Sequence, residues 1–309
     1  MLEVFAPDGI GEITEGTDLT GLITPFVVDG DVLVVTSKVV SKAEGRVVEG
    51  DREQVIRDET VRVVARRGPT SIVETRLGVV MAAAGVDASN VAPGSVVLLP
   101  VDPDASARRL RDALASVAGV NVAVVVSDTA GRAWRHGQTD LALGVAGMLP
   151  LESFAGSTDA YGNPLSVTAP AVADEIAGIA EVTSGKLGGR PFTIVRGLAD
   201  RVLRVGEHGP GARSLVRETG TDMFGLGSRE AVVAALSGHD RAAFGAAADP
   251  ADLIDALERC DLSASVAADR VQVDSTPDDP RVAVLAFAHG WEVVAADSTD
   301  SHTVLAPLS

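Results

Sequence analysis

Lysine is kept at only three positions in a chain that otherwise uses arginine. Of the 26 Lys and Arg residues, only Lys38, Lys42 and Lys186 are lysine, and each lies in a stretch that contains Gly or Ser. A lysine ammonium meets a phosphate as a compact point charge, whereas the planar arginine guanidinium favours bidentate contacts. The three lysines are therefore candidates for a phosphate site. The alternative is that they are ordinary solvated surface lysines.

Oxygen-bearing side chains stand at three places between the apolar runs. Ser37 and Lys42 flank a predicted polar turn after one strand. Asp87 lies among small residues that let a ligand approach the backbone, and Asp128 and Thr129 stand at the carboxyl end of another predicted strand. Such oxygens suit a hard divalent ion such as Mg²⁺ or Mn²⁺ that also binds nucleotide phosphates. The alternative is that the two aspartates only cap turns.

The sequence lacks the common glycine-rich nucleotide motifs. Gly185 and Lys186 do not complete a Walker loop, because Ala180 stands where a glycine is needed and Leu187 where a Ser or Thr is needed. The run Gly9–Gly11 lacks the third glycine of a dinucleotide fingerprint. Any nucleotide site must therefore be of another kind.

These side chains need elements that bring them together, and the sequence alternates short β-branched apolar runs with helical patterns. Strands are predicted from Val content and length, and helices from the period of the apolar positions. One predicted helix is capped by Asp104 or Ser106 and ends at Ala118, and another covers residues 171–182. The predicted strands cover residues 31–36, 95–100, 122–127 and 192–195. The class is α/β or α+β.

Length and composition limit the class of protein. A chain of 309 residues exceeds the size at which one core keeps growing, so two lobes or domains are expected. The net charge of −17 and the scarcity of aromatic residues disfavour nucleic acid as a partner. A single cysteine, Cys260, predicts a reducing compartment. With neither a basic signal region nor a long apolar run, we expect a soluble cytoplasmic protein with no membrane partner.

The last quarter of the chain is unusually acidic. Residues 236–309 contain 13 Asp or Glu and 4 Arg, a net charge of −9, which predicts a boundary near residues 227–238. We therefore expect one domain over residues 1–235 and a small α+β appendage over residues 236–309. The elements predicted in the appendage are a helix over residues 250–260 and strands near residues 270–273, 281–287 and 292–295.

Three motifs carry a specific resemblance. The runs Asp31–Arg46, Gly85–Val91 and Asp128–Asp140 closely resemble the coenzyme F420-0:L-glutamate ligase family, the γ-glutamyl ligases of deazaflavin coenzyme biosynthesis. The similarity covers about residues 1–225 and is greatest to actinobacterial members. It continues in order through residues 159–163, 167–168, 173–177 and 195–197.

The resemblance implies a two-lobed α+β fold that dimerises by intertwining, with the site between the lobes. It also implies a ligase that uses GTP and a divalent metal, Mg²⁺ or Mn²⁺, with K⁺ as a further candidate ion. In that family the terminal carboxylate of F420-0 is activated by GTP, the amine of L-glutamate displaces phosphate, and later cycles add γ-linked glutamates. The rival interpretations are a relative that glutamylates a different acid and a non-catalytic protein that binds F420 or GTP.

By position, the resemblance also implies roles for single residues. The implied metal ligands are Asp87, Asp128 and Thr129, and the implied catalytic residues are Lys42, Asp128 and Arg132. Arg132, Arg135 and Arg196 are our hypothesised holders of the anionic substrate. The implied nucleotide contacts are Ile10, Gly11, Glu12, Ile13, Ser37, Lys42, Asn90, Ser184, Gly185 and Lys186.

The chain departs from its resemblance at two places. Residues 10–13 replace a Leu-Pro-hydrophobic-Ile stretch at the nucleotide of archaeal relatives, and Lys186 replaces a metal-binding glutamate. A protonated lysine cannot ligate an ion, so Lys186 either alters one metal position or contacts phosphate. The 74 residues after position 235 are too few for the roughly 200-residue flavin domain of longer relatives, so no oxidoreductase activity is expected. We expect this acidic segment to be structural; the alternative is that its charge limits the glutamate tail.

Overall fold

The computed structural model describes residues 1–276, 278–294 and 302–308. Helices and strands are mixed along these residues, so the protein is of the α+β class. The helices are α1 (Leu19–Ile23), α2 (Ser37–Ala43), α3 (Arg52–Glu59), α4 (Pro103–Ala118), α5 (Val172–Ser184), α6 (Ser228–Ser237), α7 (Pro250–Glu258) and α8 (Pro280–His289). Every helix in the described ranges is too short or too polar to cross a membrane.

The strands are β1 (Glu3–Phe5), β2 (Val32–Thr36), β3 (Val47–Glu49), β4 (Thr60–Arg67), β5 (Thr70–Thr75), β6 (Val80–Ala82), β7 (Ser95–Val97), β8 (Ala123–Arg132), β9 (Arg135–Ala146), β10 (Ser157–Thr158), β11 (Pro164–Leu165), β12 (Phe192–Arg196), β13 (Ala264–Ala267), β14 (Arg270–Val273), β15 (Trp291–Val294) and β16 (Thr303–Pro307). Short 3₁₀ helices lie at Ala83–Gly85, Ala199–Arg201, Ala212–Leu215 and Arg241–Phe244.

The chain divides into two compact units. The first comprises Met1–Arg62 and Ile72–Val216, and the second comprises Val63–Ser71 and Arg217–Ser309. The acidic residues 236–309 fall inside the second unit. Of that segment, residues 277, 295–301 and 309 lie outside the described residues, among them Pro277 and the predicted strand end Ala295.

A five-stranded sheet forms the centre of the first unit. Its strand order is β1-β12-β2-β8-β9. Only β2 and β8 run parallel, and every other neighbouring pair in the sheet is antiparallel. The two parallel strands are Val-rich runs that the sequence predicted as strands, and both are buried. Continuous apolar runs are typical of strands covered on both faces.

The side chains of the central strands alternate between two apolar cores. Leu33, Val35, Val124 and Val126 point into a core shared with α4, whereas Val32, Val34 and Val125 point into a core shared with α5. Because successive strand residues face opposite sides of a sheet, both layers of helices are needed to cover them. The sheet is thereby fixed in position, and the polar residues at the strand ends with it.

Helix α4 is capped by Asp102, two residues before the earlier of the predicted caps. The Asp102 carboxylate accepts a hydrogen bond from the Ala105 N–H at 2.8 Å, and Pro103 occupies the first helical turn. Asp104 instead accepts hydrogen bonds from the backbone N–H groups of Val145 and Ala212, both at 2.7 Å. The prediction of Asp104 or Ser106 as the cap was therefore wrong, because a tertiary partner takes the Asp104 carboxylate.

Two further predictions near the candidate site were wrong about local structure. The run Ser37–Ala43 is helix α2 and not a polar turn. Its Val39 and Val40 are buried in the core, and this packing compensates for the low helix propensity of β-branched residues. Asp128 and Thr129 do not end a strand, because β8 continues to Arg132 in a long hairpin with β9.

The second unit has its own sheet and core. The sheet order is β13-β14-β16-β15, and all of its pairs are antiparallel. Leu253 and Leu257 of α7 pack with Val271 and Leu305 of the sheet. The predicted strand over residues 281–287 is wrong, since these residues belong to α8. An Asp279 cap, Pro280 in the first turn and a left-handed Gly290 at the end outweigh the strand propensity of its valines.

Candidate active site

The carboxyl end of β2 lies beside the middle of β8, because the two strands run parallel and β8 continues further. Their register pairs Thr36 with Ser127, so the next residues along each strand, Ser37 and Asp128, are neighbours. The Ser37 hydroxyl donates a hydrogen bond to the Asp128 carboxylate. The fold thus brings together a hydroxyl and a carboxylate that the sequence placed in separate motifs.

Asp128 lies in an environment with excess negative charge. The pKa of Asp128 is raised to about 6. Burial is the largest cause and the carboxylates of Asp140 and Asp87 add to it, while hydrogen bonds from the Thr129 N–H and the Ser37 hydroxyl act in the opposite direction. Nearby like charges and a low dielectric both disfavour the ionised form of a carboxyl group. A cation at this point would stabilise that form. We call Asp87, Asp128 and Asp140 the aspartate cluster.

The Asp87 carboxylate is held by contacts with Ser89 and Lys38. The Ser89 N–H and hydroxyl donate to its carboxylate at 2.7 and 2.9 Å, and the Lys38 ammonium lies 2.5 Å from its Oδ2. Partial burial acts to raise the pKa of Asp87, but the hydrogen bonds from Lys38 and Ser89 outweigh burial and the pKa is lowered. Lys38, to which the sequence gave no role beyond phosphate candidacy, therefore balances the charge of an implied metal ligand.

Asp140 is a buried carboxylate that sequence reasoning missed. It lies on β9, opposite Thr129 of β8. The Ser127 hydroxyl donates to its Oδ2 at 2.9 Å and the Thr129 hydroxyl to its Oδ1 at 2.7 Å. Ser127 and Thr129 alternate along β8 and so share one face. This alternation of hydroxyls was the available signal, but the partner strand and its register were needed to identify Asp140.

Lys186 reaches the same hydroxyl from the other side. Its ammonium donates to Thr129 Oγ1 at 2.6 Å and lies 2.7 Å from the Glu181 carboxylate. The Thr129 hydroxyl therefore accepts from Lys186 and donates to Asp140. Lys186 begins the loop after α5, whose capping residue is Gly185. A lysine that cannot ligate a metal thus contacts a residue implied to do so.

Lys42 lies in a pocket with several of the implied nucleotide contacts. Its side chain is 9% exposed, and its ammonium lies 2.7 Å from Glu12 Oε1. The pocket has a volume of about 280 Å³. This size is close to the lower end for small-molecule sites. The residues that line it are Glu12, Ile13, Thr14, Glu15, Lys42, Gly45, Val47, Asn90, Val91, Ala92 and Ser95.

Other implied site residues lie apart from this pocket. Ile10 packs against the main core, and neither Ile10 nor Gly11 is among the residues that line the pocket. The Ser184 hydroxyl donates to the Glu181 carbonyl, so it serves the end of α5.

The three arginines hypothesised to hold the substrate are also dispersed. Arg132 and Arg135 are exposed beside the turn of the β8–β9 hairpin. Arg196 lies at the opposite end of the sheet, because β12 runs antiparallel to β2 and Val195 pairs with Val32, the first residue of β2. There the Arg196 guanidinium donates to the buried Asp31 carboxylate at 2.8 and 2.9 Å. Arg196 thus compensates a buried carboxylate distant from Ser37 and Asp128.

The donor chemistry of the implied metal ligands fits a hard divalent ion. Within the described part of the chain, no three carboxylate, imidazole or thiolate groups converge closely enough to hold an ion. An ion at Asp87, Asp128 and Thr129 would therefore take its remaining oxygens from water and phosphate, as Mg²⁺ commonly does. The raised pKa of Asp128 shows that nearby groups leave its charge incompletely balanced. The residues therefore fit the ion in type and in charge.

Comparison with known proteins identifies the family of this chain. The family model described as F420-0:gamma-glutamyl ligase matches residues 9–197. The chain belongs to this family. The matched region contains Ser37, Lys42 and the whole aspartate cluster, and it ends before Arg217.

Individual relatives extend the match over most of their own length. A protein of Archaeoglobus fulgidus named coenzyme F420:L-glutamate ligase is 41% identical over 219 residues, which is 64% of this chain and 88% of the relative. A protein of the same name from Methanopyrus kandleri is 38% identical over 237 residues, 69% of this chain and 93% of the relative. A third, from Natronomonas pharaonis, is 38% identical over 223 residues, 63% of this chain and 86% of the relative.

Replacing either of the two implied metal-binding aspartates by asparagine should change the stability of the metal-free protein, in opposite directions. The folded-state pKa of Asp128 is raised to about 6 from 3.8, so the folded protein binds more protons than the unfolded one between these pH values. The free energy of unfolding should fall as the pH rises through this window, by up to about 3 kcal/mol. Asp128→Asn should therefore stabilise the metal-free protein at pH 7.5.

The Asp87→Asn variant is the matched comparison. The lowered pKa of Asp87 means that its ionised form stabilises the fold above its unfolded pKa, so this variant should lose stability at pH 7.5. Urea unfolding of both variants and the wild type in EDTA, at pH 4.5 and pH 7.5, checks the pair. A stability gain for Asp128→Asn that did not grow with pH would contradict this account of Asp128.

Proposed function

We propose that the chain is a GTP- and divalent-metal-dependent ligase that joins L-glutamate to coenzyme F420-0 through an acyl phosphate, and then adds γ-linked glutamates. Family membership and the names of the relatives support the ligase class. The observation that carries the proposal is the junction of β2 and β8, where Ser37 and Asp128 meet and where Asp87 and Asp140 lie close enough to raise the pKa of Asp128. This constellation suits phosphoryl chemistry better than carrier or sensor function.

The proposed reaction has two steps. An oxygen of the F420-0 carboxylate attacks the γ-phosphorus of GTP, and GDP leaves. The glutamate amine then attacks the acyl carbon, phosphate leaves, and the amine loses a proton. The sum is one amide, GDP and inorganic phosphate from the acid, glutamate and GTP. Catalysis of such steps is mostly positioning and charge stabilisation.

In this scheme the 280 Å³ pocket would take the nucleotide. Lys42 is the pocket's cation, and it would exchange the exposed Glu12 carboxylate for a phosphate oxygen. Glu12 is 76% exposed, so it is free to move away into solvent. A charge-assisted contact to phosphate is stronger than an exposed ion pair.

The divalent ion would be held by Asp87, Asp128 and Thr129, and it would neutralise phosphate oxygens as a Lewis acid. The neighbouring residues prepare these ligands. Asp140 fixes the Thr129 hydroxyl, Ser37 hydrogen-bonds Asp128, and Lys38 holds Asp87 in its ionised form. Supporting contacts of this kind orient metal ligands in many sites. We also propose the two-lobed, intertwined homodimer that the resemblance implies and the cytoplasmic location that the sequence composition predicts.

The first test is turnover. Phosphate release should require GTP, F420-0 and L-glutamate together, and Asp87→Asn and Asp128→Asn should each reduce it about 100-fold or more, because Asn keeps the shape and loses the charge. Asp58→Asn is the control, since Asp58 is exposed and contacts Gln54 on α3. Product masses identify the amide.

Other outcomes separate the rival functions. Release with a different acid in place of F420-0 would favour a ligase of other specificity. Binding of GTP or F420-0 without phosphate release would favour a carrier or sensor. Near-wild-type rates in both aspartate variants would refute the metal-ligand assignment.

The lysines of α2 supply a second test. Lys42→Arg should slow turnover about 10-fold or more, because the longer planar group does not fit a nearly buried point-charge position. Lys38→Arg should be tolerated, since a guanidinium can still pair with Asp87 and the Lys38 side chain is 22% exposed. Steady-state kinetics on both variants check this. Equal tolerance of arginine at the two positions would contradict a phosphate contact by Lys42 and favour an ordinary surface lysine.

A further inference from the structure

A second pocket lies in the first unit, separate from the Lys42 pocket. Its volume is about 410 Å³, which is within the usual range for small-molecule sites. No residue assigned a site role from the sequence lines it. Its walls are formed by Arg76, Leu77, Val79, Val101, Asp102, Pro103, Asp104, Arg108, Ala142, Leu143, Pro210, Ala212, Arg213 and Val216.

The two carboxylates of this pocket are already committed to the backbone. Asp104 accepts hydrogen bonds from Val145 and Ala212 at 2.7 Å and from the Arg213 N–H at 3.3 Å. Asp102 caps α4. Hydrogen bonds from N–H groups disperse much of the negative charge of a carboxylate. These two groups therefore compete weakly with an incoming anion.

Toward the residues that the structure describes, the three guanidinium groups keep most of their donors available. Arg213 donates to the Leu77 carbonyl at 2.9 Å, and Arg76 donates to the Asp58 carbonyl at 2.7 Å. Arg108 lies 3.8 Å from Asp102, which is a loose contact. Each guanidinium carries five N–H donors. The rim is thus cationic in a chain whose net charge is −17.

The apolar wall of the pocket continues to the aspartate cluster. Leu77, Val79 and Leu141 pack against a small core that contains Leu143. Leu141 is the direct cross-strand partner of Asp128, and such partners lie about 5 Å apart on the same face. Two residues along a strand add about 7 Å. An extended ligand in the pocket therefore has its far end within reach of Asp128.

A β-bulge at this point belongs to the same arrangement. The register shifts between Val126 and Ser127, because Val126 pairs with Gly144 and Ser127 pairs with Ala142, which leaves Leu143 as the extra residue. Bulges re-aim side chains and are common beside active sites. Here the bulge turns Leu143 into the wall that joins the pocket to the cluster.

We propose that this pocket binds the acid substrate of the ligase, an extended organic anion with an apolar portion. The guanidinium rim would hold its anionic groups, and Leu77, Val79 and Leu143 would contact its apolar part. The proposal rests on the ligase function above and assigns F420-0 to a place in the fold that the sequence did not indicate. The triphosphate of GTP is also an anion that a guanidinium rim could bind, so the test measures the affinities for F420-0 and GTP separately.

The test adds a negative charge at the rim without disturbing the core. Val101 lines the pocket and is 69% exposed, so Val101→Glu should fold normally. Its affinity for F420-0, measured by equilibrium dialysis without GTP or metal, should fall about 10-fold through like-charge repulsion. Arg108→Gln should weaken F420-0 to a similar extent through the loss of a charge-assisted donor. GTP affinity should change less than about twofold in both.

Matched controls come from the same unit. Val117 lies in the last turn of α4, outside the pocket, and is 72% exposed. Val117→Glu makes the same charge change and should leave F420-0 affinity unaltered. Arg57→Gln is the matched control for Arg108→Gln, because Arg57 is exposed on α3 and contacts Gln54.

The other outcomes overturn the proposal in distinguishable ways. Unchanged F420-0 affinity in Val101→Glu and Arg108→Gln, with wild-type turnover intact, would refute the pocket and leave the ligase standing. Weakened GTP with unchanged F420-0 would mean that the pocket takes the nucleotide. Weakened F420-0 binding in the two variants, together with a wild type that shows no turnover, would support the pocket and refute the ligase. Failure of the wild type to bind F420-0 would refute both.

Discussion

The charge of the Asp128 carboxylate, partly buried beside two other carboxylates, is the constraint on which the site depends. Burial, and to a smaller extent the carboxylates of Asp140 and Asp87, raise the pKa of Asp128 to about 6. Such groups remain together only if donors and cations offset their charge. The parallel β2–β8 pair and the β8–β9 hairpin supply hydroxyl donors from Ser37, Ser127 and Thr129. These neutral donors leave a net negative charge that suits a divalent ion.

The three lysines of the chain all contact residues in this electrostatic arrangement. Lys38 contacts Asp87 and Ser89, and Lys186 contacts Thr129 and Glu181. In both cases one ammonium makes two contacts with side-chain oxygens at 2.7 Å or less. Lys42, nearly buried beside Glu12, is the third. All three retained lysines therefore contact residues of the candidate site or its pocket.

The sequence predicted the buried strands well and the local structure around the site less well. Runs rich in β-branched residues gave β2, β8 and β12, because burial on both faces leaves a continuous apolar signal. Helix α2 was missed, since tertiary burial of Val39 and Val40 overrides its local pattern. The reverse error at α8 arose because end caps outweighed β-branched content.

The sequence likewise predicted the site residues that lie in recognisable motifs and missed those that depend on tertiary structure. Asp87, Asp128 and Thr129 were found because motifs mark them, and their role as metal ligands stays a prediction. Asp140 was missed, because its position opposite Thr129 depends on the β8–β9 register, which no local pattern encodes. Arg196 was drawn into the hypothesis by its motif, yet the sheet places it at the far end beside Asp31.

Equilibrium binding of Mn²⁺ in the presence of GTP tests the central claim most directly, with free Mn²⁺ measured by its electron paramagnetic resonance signal. The account predicts that the wild type and Asp58→Asn bind Mn²⁺ equally, whereas Asp128→Asn binds it about 10-fold or more weakly, as expected when a charged ligand of a hard ion is lost. Equal Mn²⁺ affinity in Asp128→Asn and the wild type would contradict the claim that the aspartate cluster is a cation site.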